Sequence, residues 1–233
     1  KDPLTGEIYD YFGGQEDIKN RILRITDEER FKDDPLRILR GMQFIGRFGL
    51  QVDRDTSRIM REMRNQLDHL PKERLREEWL KLILQSPRPS LGLTAAQEWG
   101  IFEHAHPEID VLEDTPQDAQ WHPEGDVWTH TLMVLDEAAV VVREHHLDAN
   151  QAAIVLFSAL CHDLGKPATT EVIDGRIRAR GHEPAGVDPT EDFLVSIGIE
   201  ASLREPIKKI VAEHLAPSMF YIQSQQERIT DGA

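Results

Sequence analysis

Apolar residues recur at helical spacing through most of the chain after residue 34. The first such stretch places four apolar residues on one helix face, because positions three and four apart share a face: Ile38, Leu39, Met42 and Ile45. Asp34 followed by proline is typical of a helix start, with Asp34 as the N-cap, and Gly49 is typical of a helix end. The pattern therefore predicts a helix between these residues, with Arg37, Arg40 and Arg47 on its polar face.

The same spacing predicts further helices, roughly over residues 53–66, 71–85, 90–100, 126–146, 150–162, 184–197 and 202–215. Before residue 27 the pattern predicts short strands over 7–9 and 18–25, and later a small hairpin that turns at Asp174-Gly175. An acidic stretch over 111–125 predicts a connector between two helical parts. The predicted fold class is therefore mainly α, with a short β segment at the N-terminus.

Composition excludes several classes of protein. The 233 residues are 39% hydrophobic and 30% charged, which is typical of a globular protein. No apolar run is long enough to span a membrane, the first residues do not resemble a secretory signal, and the single Cys161 excludes a disulfide framework. We therefore expect a cytoplasmic protein with no membrane partner.

Charge is distributed unevenly around a net value of −15, which argues against broad non-specific nucleic-acid binding. Residues 1–110 hold 18 basic and 21 acidic side chains, whereas residues 111–233 hold 9 and 21. An acidic half that carries several histidines favours cations over polyanions as ligands. A surface that only keeps the protein in solution is the alternative interpretation.

Histidine and aspartate meet directly after the most apolar predicted helix. His162 and Asp163 follow it, and at a helix end both side chains can reach one cation. A neutral imidazole and a carboxylate oxygen suit a divalent transition metal or Mg²⁺. His130, His182 and His214 are candidates to complete such a site. The alternative is a capping aspartate with histidines buried in a core.

These residues lie in motifs that resemble the HD superfamily of metal-dependent phosphohydrolases, over roughly residues 120–233: His130, then "CHDLGKP", then "GHEPAG". The resemblance implies a set of metal ligands: His130, His162, Asp163 and, as the additional histidines of two-metal members, His182 and His214. It also implies Ni²⁺, Mn²⁺ or another transition metal, a metal-bound water as nucleophile, and Lys166 as a phosphate contact. A last aspartate ligand stays unassigned, because Asp231 is too near the end of the sequence.

The segment "FKDDPLRILRGMQFIGRFGL" resembles the bacterial tRNA nucleotidyltransferase and poly(A) polymerase family, the CCA-adding enzymes. "GEIYDYFGGQEDIKNRILR" upstream and "WHPEGDVWTHT" downstream match members with an HD domain, in the same order. The resemblance covers essentially the whole chain. It implies the end of a nucleotidyltransferase head over 1–30, a helical neck and body over 31–112 that selects nucleotides and binds RNA, and an HD domain over 120–233.

Enzymes of this class choose CTP and ATP with protein side chains rather than with a nucleic-acid template. The resemblance implies Asp34 and Arg37 as the base-selecting pair, the carboxylate accepting from an exocyclic amine and the guanidinium donating to ring acceptors. It places Arg40 beside them, Asp33 where the family usually has Glu, and Gln43 where it commonly has Arg. An N-cap and a surface arginine are the alternative interpretation of Asp34 and Arg37.

Nucleotidyl transfer needs carboxylates that hold two metal ions, Mg²⁺ in this family, and no Asp-x-Asp motif precedes Asp33. Asp53 and Asp55 form such a pair, but they follow the base-selecting helix and are interpreted as helix caps. We expect a part of a longer enzyme, without its catalytic head, that does not add nucleotides alone. Three hypotheses for function remain: part of a tRNA CCA-adding nucleotidyltransferase, an HD phosphohydrolase acting on phosphomonoesters or 2′,3′-cyclic phosphates, and a non-catalytic RNA- or nucleotide-binding module.

Overall fold

The computed structural model describes residues 2–226, and the chain divides into two compact units between Pro107 and Glu108. The elements of the first unit are α1 (Gly14–Lys19), β1 (Ile22–Leu23), α2 (Glu28–Lys32), α3 (Leu36–Phe48), β2 (Gln51–Val52), α4 (Arg54–Met63), a 3₁₀ helix (Arg64–His69), α5 (Lys72–Gln85), α6 (Pro89–Glu98) and α7 (Ile101–Ala105). The short helix α8 (Pro107–Asp110) crosses the division.

The second unit is also mainly helical, so the predicted fold class is confirmed. Its further elements are α9 (Val127–Glu144), α10 (Ala149–Cys161), α11 (Lys166–Thr169), β3 (Thr170–Ile173), β4 (Arg176–Ala179), α12 (His182–Ala185), α13 (Val187–Ser196), α14 (Ala201–Glu213) and α15 (Ala216–Gln226). Among residues 2–226, no helix is both long enough and apolar enough to cross a membrane.

Helix α3 forms the centre of the first unit, where it packs against α5 and α6. Its predicted apolar face is buried, with Ile38 and Met42 completely covered. The contact with α6 is close because Gly92 has no side chain: a Cβ there would lie 2.5 Å from the carbonyl oxygen of Met42. The helix ends at Gly49, whose φ of 61° is the left-handed conformation that glycine adopts readily.

The predicted strands before residue 27 are partly wrong. Residues 7–9 form neither strand nor helix, and most of the predicted strand over 18–25 is replaced by the end of α1 and a turn. Asp10 explains the helix, because its carboxylate accepts the backbone amides of Gly14 and Gln15, both at 2.8 Å, at the start of α1. Only the short strand β1 remains, and it pairs in parallel with β2.

Helix caps behave largely as predicted. Asp53 accepts the amides of Asp55 and Thr56 and is the predicted cap of α4, whereas Asp55 lies in the first turn of the helix and is not its cap. Asp34 accepts the amide of Leu36 at 3.3 Å, although α3 begins one residue later than the predicted N-cap implies.

Residues of the predicted connector pack inside the second unit. Leu112 and Thr115 are buried, and their carbonyl groups accept the amides of Trp128 and Val127 at the start of α9. The two-unit division therefore lies at Pro107, before the predicted connector, and residues 2–30 belong to the same unit as residues 31–107. The division precedes the predicted connector because Leu112, although it lies in an acidic stretch, is buried in the second unit.

The predicted hairpin is present in the second unit. Strands β3 and β4 pair antiparallel, from Thr170 opposite Ala179 to Ile173 opposite Arg176. Asp174 and Gly175 both have positive φ, 51° and 73°, as a two-residue turn of the type that suits twisted strands requires. The apolar helix α10 packs against α9 and α14 and is buried or half-buried from Ala152 onward.

Candidate metal centre and arginine groove

Helix α10 positions the centre of the site in the second unit. Asp148 caps its start in a capping box with Gln151, and the apolar residues that follow bury the helix. The chain leaves α10 at His162 and Asp163, so the Asp163 carboxylate lies in the interior, with only 1% of the residue exposed. A buried carboxylate needs partners, because removal of a charge from water is costly.

Four imidazoles surround this carboxylate, one each from α9, the end of α10, α12 and the end of α14. Nε2 of His162 lies 3.0 Å from Asp163 Oδ2, and Nε2 of His130 lies 3.7 Å from it. Nε2 of His182 and of His214 lie 3.3 and 3.9 Å from Oδ1. The structure thus brings together all five predicted ligands, in two groups that share Asp163 and could each hold a metal ion.

The opposite nitrogen of each ring is held by an acceptor. Three imidazoles place Nδ1 on a backbone carbonyl three residues earlier: His162 on Ala159 (2.8 Å), His182 on Ala179 (2.7 Å) and His214 on Val211 (2.8 Å). A carbonyl oxygen only accepts, so Nδ1 must carry the proton in each ring. In its neutral form each of these rings therefore has its lone pair on Nε2, which faces the carboxylate, and this is the tautomer a metal ligand needs.

Glu124 plays the same part for His130, and the sequence reasoning missed it. Its Oε1 accepts from Nδ1 of His130 at 2.7 Å and from Nδ1 of His122 at 3.0 Å. The backbone amide of Glu124, and then the two imidazoles, lower the pKa of Glu124 to about 2, so it is ionised at neutral pH. The available signal was an acidic residue six positions before His130, in "HPEG".

The donor set fits a divalent cation. Nε2 of His182 and Nε2 of His214 lie 3.2 Å apart, and Nδ1 of each ring already donates to a carbonyl, so two neutral rings would have no proton to share between these nitrogens. Burial lowers the pKa of His214, which disfavours a second proton that would join the two nitrogens. Asp163 Oδ2 is buried and makes no hydrogen bond of acceptable geometry. A cation among these atoms would bind the two facing Nε2 atoms and give the Asp163 carboxylate a partner.

Lys166 lies at the edge of the cluster. Its Nζ donates to Gln117 Oε1 at 2.6 Å and lies 2.7 Å from Asp163 Oδ2. Burial by itself raises the pKa of Asp163. The contacts with His162 and Lys166 outweigh burial and keep this pKa well below its usual range. The phosphate contact of Lys166 stays a prediction. The predicted last aspartate ligand is not assigned either, since Asp231 lies outside the described residues.

Gly165 allows the elements of the site to approach each other. A Cβ at this position would lie 2.0 Å from the carbonyl oxygen of His182 and 2.5 Å from the amide nitrogen of Gly186. Real Cβ atoms do not approach backbone so closely, so only glycine permits α12 to lie against this turn. The glycine of "HDLGK" therefore places His182 beside Asp163.

A second candidate site lies in the first unit, where a cavity of about 390 Å³ opens beside α3. Its lining combines four arginines with two phenylalanines: Arg24, Arg30, Arg37, Arg40, Phe31 and Phe44. The Arg40 guanidinium lies over the Phe44 ring, 5.9 Å from its centroid. We call this cavity the arginine groove. Two of its arginines were predicted, whereas Arg24 lies in the predicted strand over 18–25 and Arg30 in a stretch for which no element was predicted.

The predicted acidic partners are not part of the groove lining. Asp33 is exposed, and Asp34 accepts from the Arg74 guanidinium at 2.8 Å, which lowers the pKa of Asp34. Arg37 donates to the backbone carbonyl of Arg30 rather than contacting Asp34. The base-selecting pair therefore stays a prediction. Gln43, where the family commonly has arginine, is buried, and its side chain accepts from Arg47.

Comparisons with known proteins find matches in both units of the chain. Residues 49–112 match the family described as the probable RNA- and SrmB-binding site of polymerase A, and residues 127–232 match the HD domain. A multifunctional CCA protein of Pasteurella multocida is 37% identical over 192 residues, which are 80% of this chain and 44% of that protein. The one from Laribacter hongkongensis is 36% identical over 213 residues, 90% of this chain and 49% of that protein. The chain thus spans about half the length of these relatives.

Solved structures agree in fold. A tRNA-processing enzyme complex has a TM-score of 0.57 at 21% identity, covering 94% of this chain and 51% of that one. The Thermotoga maritima CCA-adding enzyme, solved with tRNA, has a TM-score of 0.55 at 20% identity, covering 93% and 44%. These similarities concern the arrangement of the helices.

Proposed function

Since the chain belongs to the tRNA nucleotidyltransferase and poly(A) polymerase family and carries an HD domain, we propose two functions for its two units. The first unit selects nucleotides and binds RNA within a protein that adds CCA to tRNA ends. The second unit is a metal-dependent phosphohydrolase. On this proposal the ligands are CTP, ATP and tRNA, the transfer reaction uses Mg²⁺, the HD site uses a transition metal such as Mn²⁺ or Ni²⁺, and the protein works in the cytoplasm.

One observation carries the hydrolytic function: the four Nε2 atoms that lie 3.0–3.9 Å from the Asp163 carboxylate, with each Nδ1 held by an acceptor. A divalent ion bound there supplies a water of lowered pKa, the nucleophile that ester hydrolysis needs. Lys166 is close enough to the cluster to hold a phosphate oxygen, while Gln117 fixes the position of its Nζ. The substrates are phosphomonoesters or 2′,3′-cyclic phosphates.

This function is tested with the chain loaded with Mn²⁺ or Ni²⁺ and assayed on p-nitrophenyl phosphate and 2′,3′-cyclic AMP. We expect metal-stimulated turnover that a chelator removes and that His162→Ala abolishes. His145→Ala is the matched control, because His145 is exposed at the end of α9, and it should keep full activity. Turnover that survives His162→Ala, or a protein that binds metal without turnover, would contradict the proposal.

The arginine groove carries the nucleotide-selecting function. Its guanidiniums can form charged hydrogen bonds with the triphosphate. Its phenyl rings can stack on a base or on a neighbouring guanidinium. We expect the chain to bind CTP and ATP more tightly than GTP and UTP, and Arg37→Ala to weaken CTP binding about tenfold, as loss of one charged hydrogen bond does. Isothermal titration checks this, with the exposed Arg54→Ala as the control.

Two outcomes would contradict this proposal. Equal affinity for all four triphosphates would remove the selecting role. Binding of tRNA that depends on the arginines but is indifferent to CTP and to chelators would favour a non-catalytic RNA-binding module instead. Any tRNA binding should fall steeply with salt, because phosphate contacts release counterions.

A further inference from the structure

The acidic second half of the chain concentrates its positive charge on one hairpin strand. Three of its nine basic residues lie within five positions: Arg176, Arg178 and Arg180. Alternate residues of a strand point to the same side, so the guanidiniums of Arg176 and Arg178 share one face of β4, and Arg180 follows directly. Within the part of the chain that the structure describes, none of the three makes an ion pair. Glu171 is the cross-strand neighbour of Arg178 but makes no ion pair with it, so the three guanidiniums stay available to an anionic ligand.

The arginines line a cavity of about 550 Å³, which we call the hairpin groove. Trp121 also lines it and is 72% exposed, whereas Trp79, Trp99 and Trp128 are all buried. A single exposed aromatic ring is ordinary on a protein surface, but this one borders the cavity that the arginines line. Trp121 therefore offers a flat apolar face next to the guanidiniums.

The hairpin groove leads to the metal cluster, because His182 belongs to both. Its Nε2 lies 3.3 Å from Asp163, and the same residue borders the groove. Asp118 and Glu183 also line the groove, but the Asp118 carboxylate accepts the amide of Gln120, and Glu183 lies 3.6 Å from Nδ1 of His182. A molecule with a phosphate at the cluster would have the rest of its length in this groove.

We propose that the hairpin groove binds the phosphorylated end of a single-stranded nucleic acid, with a base stacked on Trp121 and backbone phosphates on Arg178 and Arg180. A basic groove combined with an exposed aromatic ring is the usual arrangement for single strands, whose bases are free to stack. Alternate residues of a strand are roughly 6.6 Å apart, so successive arginines can reach successive phosphates. The terminal phosphate then lies at the cluster, so the inference names the substrate class of the proposed phosphohydrolase and rests on it.

The test is fluorescence anisotropy of a 5′-labelled pentanucleotide with a 3′-phosphate, titrated with the whole chain in the presence of a chelator so that the terminal phosphate is not hydrolysed. We expect Arg178→Ala/Arg180→Ala to weaken binding at least about tenfold per arginine and to lower the slope of log affinity against log salt by about 1.4. Trp121→Ala should weaken it about 5- to 150-fold, the range for one stacked base, and Trp121→Phe should restore most of the affinity. Lys209→Ala, an exposed cation on α14, is the matched control and should match the unchanged chain.

Further variants separate folding from binding. Arg178→Lys/Arg180→Lys keeps the charge and should keep the salt slope, which shows that the hairpin folds. An unchanged affinity and slope in the alanine double variant would overturn the inference. Equal affinity for the pentanucleotide and for ribose 5-phosphate would also overturn it, because no base or second phosphate would then be recognised.

Binding and hydrolysis fail separately in this design. Nucleic-acid binding that depends on the arginines in a chain without turnover would support the groove and overturn the proposed phosphohydrolase. Turnover on p-nitrophenyl phosphate, with no arginine-dependent binding of the pentanucleotide, would support the phosphohydrolase and overturn the groove.

Discussion

The metal centre and the arginine groove differ in how their functional atoms are held. In the metal centre, each Nε2 has a fixed direction because the same ring places Nδ1 on an acceptor, as His182 does on Ala179. In the arginine groove, the guanidiniums make contacts that do not direct them at a ligand: Arg24 pairs with Asp17 and Asp53, at 3.0 and 2.6 Å. The chain has preorganised one site for an ion, whereas the other takes its final geometry from its ligand.

Burial sharpens this contrast. Asp163 lies in the interior, where electrostatic interactions are strong, while Arg40 is exposed and screened by water. Removal of one group from the metal centre should therefore have a large effect, and removal of one surface pair beside the groove a small one. The predictions that follow run from the largest expected effect to the smallest.

The largest effect is expected for Asp163→Asn. This change removes the one carboxylate shared by both ligand groups, so Mn²⁺ affinity should fall by more than about 100-fold, beyond the range seen when only an outer contact is lost. Equilibrium dialysis measures it. The exposed Asp192→Asn is the control with the same chemical change. Retained affinity in Asp163→Asn would place the metal elsewhere.

Gly165→Ala should disturb both folding and the site. The new methyl group meets the backbone of α12, so we expect a loss of about 1–3 kcal/mol of unfolding free energy or more, together with weaker metal binding as His182 moves from Asp163. Thermal unfolding and dialysis report the two effects. Gly14→Ala is the control, because its Cβ would have only an ordinary contact of 3.6 Å. Wild-type stability in Gly165→Ala would contradict the close approach of α12 to Gly165.

Glu124→Gln tests orientation without removing a ligand. The amide is neutral and presents a donor as well as an acceptor, so it holds the His130 tautomer less firmly. Metal affinity should fall about 10- to 100-fold, as for other outer contacts of metal-bound histidines. Glu137→Gln, the same chemical change at an exposed position on α9, serves as the control. An unchanged affinity would mean that His130 needs no carboxylate.

The smallest effect is expected for Arg74→Ala, which breaks the pair with Asp34 at the surface of the first unit. Both side chains are partly exposed, so the free energy of unfolding should change by less than about 1 kcal/mol. Urea unfolding measures it. A loss as large as that of Gly165→Ala would remove the contrast between the surface pair and the buried centre.

Helical periodicity predicted the main helices because their apolar faces repeat along the chain, as Ile38 and Met42 illustrate. It did not predict the parallel pairing of β1 with β2, since the partner strand is about thirty residues away and each strand has only two residues. The burial of Leu112 within an acidic stretch was missed for the same reason, because it depends on a distant surface.

The candidate site shows the same division. Motifs placed His162 and Asp163 in one site because the two residues are adjacent in sequence. The contact of Glu124 with His130, and that of Gln117 with Lys166, depend on how a loop folds back, and no spacing rule contains them. The resemblance implied Asp34 as the partner of Arg37 in base selection, but Asp34 accepts a hydrogen bond from Arg74 of another helix.

The most direct test of the central claim is the tautomer of the imidazoles, measured by ¹⁵N NMR of the metal-free chain at neutral pH. The account predicts that Nδ1 carries a proton in His130, His162, His182 and His214, and that each Nε2 resonance shifts when a divalent ion is added. Rings without a proton on Nδ1, or Nε2 resonances that do not respond to the ion, would contradict it.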